Sequence, residues 1–325
     1  MATGGRGDRL STPSESGGRG DRLSAASGGA HGGPRGGEEG GWRDGSAAVV
    51  TLTFDVDAET PVLAQGRRYA GHASTMSHQA YGPDVGLPRI LDLLDDLAVP
   101  ATFFVPGWVA EHRPWLAPSI AGRGHEVAHH SYSHRPSTSM TAEEERADFE
   151  RALAVFDRQG IEIRGHRAAL WEASWQTGDL VAEHGLRYDS SLMGDDRPYK
   201  VETPAGEIVE LPVHWSLDDW EQYAFLPAPH VGSVIESPAK VLELWQAELD
   251  GMRHYGGLFN LCVHPFLSGR PGRALALRRF LEYARSCADV SFARCRDVAE
   301  SAAADAGLAV RRPRPPEVSP DVYPD

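Results

Sequence analysis

Two carboxylates leave the first apolar run of this chain together: Asp55 and Asp57 flank Val56 directly after VVTLTF. Alternation along an extended segment aims both side chains roughly the same way, so that one can bind a cation while the other stays free as a base. The same pair also suits a helix N-cap or a turn. A second cluster, His129-His130-Ser131-Tyr132-Ser133-His134, places His130 and His134 four apart. On a helical turn that spacing puts both imidazoles on one face, as two nitrogen ligands of one ion require; the other reading is an ordinary hydrogen-bonded or surface pair. Joined to Asp57, they make a two-histidine, one-carboxylate set that leaves a coordination position open for water on zinc or a similar ion. Such an ion lowers the pKa of water toward about 7 and polarises a carbonyl, the two requirements for attacking an amide. The leaving nitrogen then needs a proton, and His264, which follows the apolar LFNLCV and precedes Pro265, is the candidate donor.

Other residues can support that chemistry. Asp218 or Asp219 can hold a proton on the far nitrogen of His264, with the other capping a turn. Trp171, Trp215 and Trp220 can stack on a sugar or another ring, or can simply belong to the core. Arg270 and Arg273 can meet a substrate carboxylate, although solvation or a salt bridge is the ordinary role of such residues.

The elements that must position these groups alternate along the chain. Ala48 to Phe54 reads as a buried strand, and Gly86 to Leu97 places Leu87, Ile90, Leu91 and Leu94 on one helical face. Ala101 to Val105 reads as a second strand. Thr141 opens a helix through a Thr-x-x-Glu capping box to Glu144, continued by Phe149, Ala152, Leu153 and Phe156. A further amphipathic helix carries Val241, Leu244, Trp245, Leu249 and Met252 and leads into the strand Leu258 to Val263. Repeated strand–helix units predict an α/β fold with a mainly parallel sheet or barrel. In such folds chemistry gathers on loops at the strand carboxyl ends, which is where each polar cluster falls.

Composition narrows the class. The chain has 325 residues, 41% of them hydrophobic, and a formal charge of -14. That content is enough for a sizeable core, and the negative balance argues against nucleic acid or anionic lipid as partners. Residues 1–45 are rich in Gly, Ser, Arg and Asp and repeat GGRGDRLS at Gly4 to Ser11 and Gly17 to Ser24; they are expected to be a disordered arm. A catalytic domain is expected over 46–303 and a Pro-rich tail over 304–325. Three cysteines, Cys262, Cys287 and Cys295, suit a reducing compartment. With neither a signal-peptide pattern nor an 18-residue apolar run, the expected location is cytoplasmic.

The motifs resemble the polysaccharide-deacetylase family (NodB homology, carbohydrate esterase family 4) over about residues 46 to 303. TFDVD at Thr53 to Asp57 is similar to its first motif, which implies Asp55 as general base and Asp57 as metal ligand. HSYSH at His130 to His134 is similar to its second, which implies both histidines as ligands. GHRAALW at Gly165 to Trp171 resembles the third, implying that Arg167 orients the base and Trp171 lines the groove. LPVHWSLDDW at Leu211 to Trp220 resembles the fourth, and LCVH at Leu261 to His264 the fifth, which carries the acid. The segments YGPDVGLPRILDLL, YDSSLMGDDRPY and HPFLSGRPGR are similar to a branch holding peptidoglycan-deacetylase-like proteins, cyclic imide hydrolases and allantoinase-like proteins. Two departures bear on substrate fit: Ala169 stands where the third motif usually has Pro, and Arg135 where the second is often followed by Glu.

The resemblance implies a distorted (β/α) barrel, one divalent ion with zinc expected, and a homo-oligomer. The expected function is metal-dependent hydrolysis of a non-peptide carbon–nitrogen bond, removing an N-acetyl group from an amino sugar or a similar small amide. The alternatives are ring opening of a cyclic imide or ureide, and a non-catalytic carbohydrate-binding relative.

Overall fold

A computed structural model describes Trp42 and residues 44–232 and 234–322. The expected N-terminal arm, apart from Trp42, Asp44 and Gly45, lies outside the described residues. The strands are β1 (Ala48–Asp55), β2 (Thr102–Val105), β3 (Glu126–His129), β4 (Gly165–His166), β5 (Tyr188–Asp189), β6 (Tyr199–Thr203), β7 (Gly206–Glu210), β8 (Leu226–Pro227), β9 (His230–Val231), β10 (Leu258–Val263), β11 (Val290–Phe292) and β12 (Val310–Arg311). Ten of them form one sheet in the order β10-β1-β2-β3-β4-β5-β7-β6-β12, with β11 also paired to β1; β8 and β9 make a separate hairpin. All the main-sheet pairings are parallel except the β6–β7 hairpin. This is the α/β class predicted, with the pairing drawn as an open path among the described residues.

Complete burial marks the β1–β10 pair. All eight residues of β1 and all six of β10 are buried, as strands covered on both faces must be. The parallel register carries their ends to one edge. Phe54 lies opposite Val263, Asp55 opposite Phe104, Val105 opposite His129, and His129 opposite His166. The residues that follow each strand therefore share one rim: Asp57, His130, Arg167 and His264. Gly165 permits the tight β4–β5 approach, since a Cβ there falls 1.9 Å from Cζ of Tyr188.

Helices on the faces follow the apolar spacing. The helix Leu87–Leu97 buries Leu87, Ile90, Leu91 and Leu94 and ends at left-handed Ala98. Thr141 and Glu144 form the predicted capping box of the helix Ala142–Arg158. The helix Pro238–Tyr255 buries Val241, Trp245 and Leu249, and stops at Gly256 with φ 77°. Beyond Ala303 the chain is not only a Pro-rich tail: Val310 and Arg311 pair with β6, and Arg311 stacks over Tyr199. These residues precede the proline run, so their backbone donors remain free to join a ladder. All three cysteines are free. No helix of the described residues is long and apolar enough to cross a membrane.

Where β5 and β7 end, Glu210 is buried beside Asp189, and one of its oxygens accepts the amides of Ser191 (2.9 Å) and Leu192 (2.8 Å). Its other oxygen has no donor among the described residues. Burial, reinforced by Asp189, pushes the Glu210 carboxyl well above its ordinary value. A carboxyl raised in the folded state binds its proton more tightly than in the unfolded chain, so stability is lost as pH rises from the ordinary glutamate pKa through the folded one. Glu210→Gln keeps the acceptor oxygen and supplies a donor toward Asp189. We expect its Tm to exceed that of the parent by about 2 °C or more at pH 8, with the gap shrinking toward pH 5. Thermal unfolding across that range checks this, and a gap that widens on acidification contradicts it.

Candidate active site

The loop after β3 is not the helical turn that the spacing of its histidines predicts. It is a tight irregular turn in which Ser131 and His134 both have positive φ, 57° and 58°. Asp148, on the helix Ala142–Arg158, accepts the amides of Tyr132 (2.7 Å) and Ser133 (3.1 Å), and the Ser131 hydroxyl accepts that of His134 (3.0 Å). These side-chain acceptors replace helical hydrogen bonds and fold the turn back on itself. The imidazoles of His130 and His134 meet with ring centroids 5.0 Å apart. His129 faces the core instead, with Nε2 at 3.1 Å from the Phe149 carbonyl, and burial holds its pKa well below the usual histidine value. Of the six non-glycine residues with positive φ among the described residues, five sit in loops around this rim: Ala58, Ser131, His134, Leu170 and Trp171. Backbone held in that region costs about 1–3 kcal/mol per residue and gathers where function over-determines it.

Asp57 lies at the centre. Its Oδ1 is 3.3 Å from Nε2 of His130, and its Oδ2 is 3.3 Å from Nε2 of His134 and 3.5 Å from Nε2 of His264. Burial alone raises this carboxyl, but the surrounding imidazoles override it and hold Asp57 well below the usual carboxylate range. His130 Nδ1 lies 2.8 Å from the Arg167 carbonyl, which can only accept. A proton therefore sits on Nδ1, which leaves Nε2, directed at the carboxylates of Asp57 and Asp55, as the ring atom placed to bind an ion. Among the described residues, neither His130 Nε2 nor Asp57 Oδ1, both buried, has a hydrogen-bond partner. A cation between these atoms would satisfy both, and the Asp57, His130 and His134 donor atoms lie within 4.8 Å of one another. The residues present fit one divalent ion.

Asp55 occupies the other side of the same cleft. Arg167, wholly buried, donates from Nη1 to Asp55 Oδ1 at 2.7 Å. Its guanidinium is fixed in turn by the Ser190 carbonyl (3.1 Å), the Ser190 hydroxyl (3.1 Å) and Thr53 (2.9 Å). Ser190 lies in the YDSS segment, whose part in holding Arg167 no sequence pattern assigned. Its only sequence signal was the likeness of that segment to one branch of the family.

The choice between Asp218 and Asp219 is made by geometry. Asp219 Oδ1 lies 2.7 Å from His264 Nδ1 and accepts the His264 amide at 2.9 Å, while Ser268 donates to its other oxygen. Burial opposes charge on the ring, but these carboxylates, with Asp57, hold His264 well above the usual histidine pKa. Asp218 caps the short helix Asp219–Tyr223 by accepting the Trp220 amide at 2.8 Å and stands 3.6 Å from His264. Burial pushes its carboxyl up to about 7.

A pocket of about 100 Å³ is lined by Asp55, Asp57, His130, His134, Asp218 and His264. Its walls are Trp171, Trp215, Trp220, Leu170 and Glu221; no sequence pattern singled out Leu170 or Glu221. Trp171 is buried and packs on Trp215 at 4.7 Å, so it serves core and wall together. Trp220 meets His264 edge-on at 5.3 Å. Arg270 and Arg273 are not brought to this pocket; they stack over Tyr81 and Tyr223. Ala169 is buried beside the site, and Arg135 turns toward Glu144 at 3.8 Å.

Residues 43–188 match the family model described as polysaccharide deacetylase. A solved Mycobacterium smegmatis protein assigned to the polysaccharide deacetylases is 46% identical, with a TM-score of 0.83 over 88% of this chain and 99% of that one. The Helicobacter pylori peptidoglycan deacetylase is 28% identical over 72% of this chain and 89% of its own length. The Puue allantoinase structure shares the fold, with a TM-score of 0.72 at 22% identity over 82% of this chain and 94% of that one.

Proposed function

The chain belongs to the polysaccharide deacetylase family, and from that premise we propose that it hydrolyses the carbon–nitrogen bond of an N-acylated amine, with Asp55 as base and His264 as acid. The observation that carries the reading is one pocket in which a carboxylate and an imidazole held protonated stand on two sides of a two-histidine, one-carboxylate donor set. Asp57, His130 and His134 would hold the ion. When bound, a divalent ion there supplies a Lewis acid for the amide carbonyl and a lower pKa for water.

The residues of the chain divide the proton traffic. Asp55 takes a proton from the attacking water, and Arg167 fixes its orientation through Oδ1 while Oδ2 stays directed into the pocket. His264 gives a proton from Nε2 to the departing nitrogen. Asp219 anchors Nδ1, so the imidazole keeps both its rotamer and its charge until that transfer. The tryptophan walls limit access of bulk water, which strengthens each of these interactions.

Zinc is the ion we propose, since two imidazoles and a carboxylate suit it better than they suit magnesium or calcium. An N-acetylated amino sugar is the substrate class that the relatives support. The test measures acetate released from N-acetylglucosamine oligomers by zinc-loaded protein, beside ring opening of succinimide and hydantoin, with His264→Ala as the contamination control. Acetate release absent from the His264→Ala variant supports the reading; imide opening without acetate release replaces it with a ring-opening hydrolase.

Asp219 is a positioning residue, and its substitution has a signature that a purely structural defect lacks. In Asp219→Asn the nearest of the carboxylates that raise His264 is neutralised, while the amide preserves the shape. We expect kcat to fall roughly ten- to a hundredfold, and the alkaline limb of the kcat profile to move to lower pH as the imidazole loses its proton earlier. A uniform loss with an unmoved profile contradicts this assignment.

A further inference from the structure

Beside the catalytic pocket lies a second and larger one, of about 250 Å³. The two share His134, Leu170 and Trp220, so a molecule seated in one borders directly on the other. The larger pocket is apolar. Val62, Ala64, Leu226, Pro229 and Val231 supply its walls, from the short helix Thr60–Ala64 and the β8–β9 hairpin. Besides His134, only Gln65 and Ser139 bring ordinary polar side chains to its lining, with the indole N–H of Trp220. A sugar ring needs several convergent hydrogen-bond partners, and this lining is better matched to a hydrocarbon. Its volume exceeds the roughly 150 Å³ that suffices elsewhere for a benzene ring.

Leu170 stands where the two pockets meet. It is 42% exposed and has φ 57°, a left-handed conformation that is an outlier for a bulky side chain. The hydrogen bonds of Ala168 to Ser191 (2.9 Å) and of Trp171 to the Ala168 carbonyl (3.0 Å) hold the turn that carries it. The two linings differ in which proposed site residues they include. His264, the proposed proton donor to the leaving nitrogen, lines only the smaller pocket, as does Asp55; the larger pocket begins at His134. An arm lying in it borders the proposed ion site at His134, while Trp220, which meets His264 edge-on, is common to both pockets.

We propose that this pocket receives, from the carbonyl side of the scissile bond, an apolar acyl arm longer than acetyl, so that the preferred substrates are amines carrying a medium-chain or aromatic acyl group. The inference rests on the proposed amide hydrolysis at the adjoining site. Each methylene withdrawn from water is worth about fourfold in binding, so a chain four carbons longer than acetyl has ample driving force even when seated imperfectly.

The experiment compares zinc-loaded full-length protein on N-acetyl-, N-hexanoyl- and N-benzoylglucosamine, following the freed amine, with N-acetylhexylamine carrying the arm on nitrogen. Binding of hexanoate and of acetate to the same protein is measured by calorimetry. We expect kcat/KM for the hexanoyl compound to exceed that for the acetyl compound at least tenfold, and hexanoate to bind at least tenfold tighter than acetate. Ala64→Trp, and independently Val231→Trp, should bring both ratios toward one. Measurable acetyl turnover with no gain on lengthening the acyl chain overturns the acyl pocket and leaves the hydrolase reading standing. A preference for N-acetylhexylamine overturns the assigned direction of the arm. If no amide is cleaved, the proposed function falls, and the hexanoate-to-acetate ratio still decides the pocket: equal affinities refute it.

Discussion

Asp55→Asn is expected to lower kcat by about 10²- to 10⁴-fold while the protein keeps its metal, because an amide cannot accept the proton that a general base must take. The substitution is close to isosteric. The amide oxygen it introduces can still accept from Arg167 Nη1, which also donates to Thr53 at 2.9 Å and is buried with its whole guanidinium among fixed acceptors. A charge left in the interior without its counter-ion is costly, so a fall in Tm of several degrees is expected beside the loss of turnover. Asp57, 3.3 Å from both His130 and His134, remains untouched, which is why metal content should not change. Kinetics, metal analysis and thermal unfolding on one preparation separate these effects. Parallel loss of metal and activity would mean that Asp55 is itself a ligand and that the roles of the two carboxylates are reversed.

The second large effect concerns the ion. We expect the purified protein to carry about one divalent ion per chain, and the His130→Ala/His134→Ala variant to carry none and to lose turnover to background. Removing both imidazoles takes away two of the three donor atoms, and Asp57, with His264 3.5 Å from Oδ2 and Asp55 held by Arg167, should not retain the ion at ordinary concentrations. The ion contributes stability to the state that binds it, so the parent should lose Tm on treatment with a chelator while the variant should not respond. Elemental analysis together with the chelator response makes the test independent of any substrate. An unchanged stoichiometry in the double variant rules out this ligand set.

By sequence alone three central runs, Ala48–Asp55, Thr102–Val105 and Leu258–Val263, were legible as strands, and the residues proposed as base and acid stood beside the first and last of them. Short runs such as VVTLTF and LFNLCV fit strands buried on both faces, and Asp55, Asp57 and His264 follow them closely. Local signals sufficed for the helices as well, as the Thr141–Glu144 cap shows, because caps and apolar spacing act within a few residues. Tertiary structure decided what those signals leave degenerate. Four-residue spacing is shared by helices and tight turns, and the Asp148 carboxylate, 14 residues beyond His134, together with the local Ser131 hydroxyl, holds the turn that faces His130 toward His134. Asp218 and Asp219 are alike in type and adjacent in position. The start of the helix Asp219–Tyr223 turned one to its cap and the other to His264 across 45 residues of chain. The apolar pocket had no signal at all in the sequence, since its walls come from segments near residues 62, 170 and 230 that no periodicity connects. Type and local pattern are properties of neighbouring residues, whereas direction and distance between side chains exist only once the sheet register has brought remote strand ends to one rim.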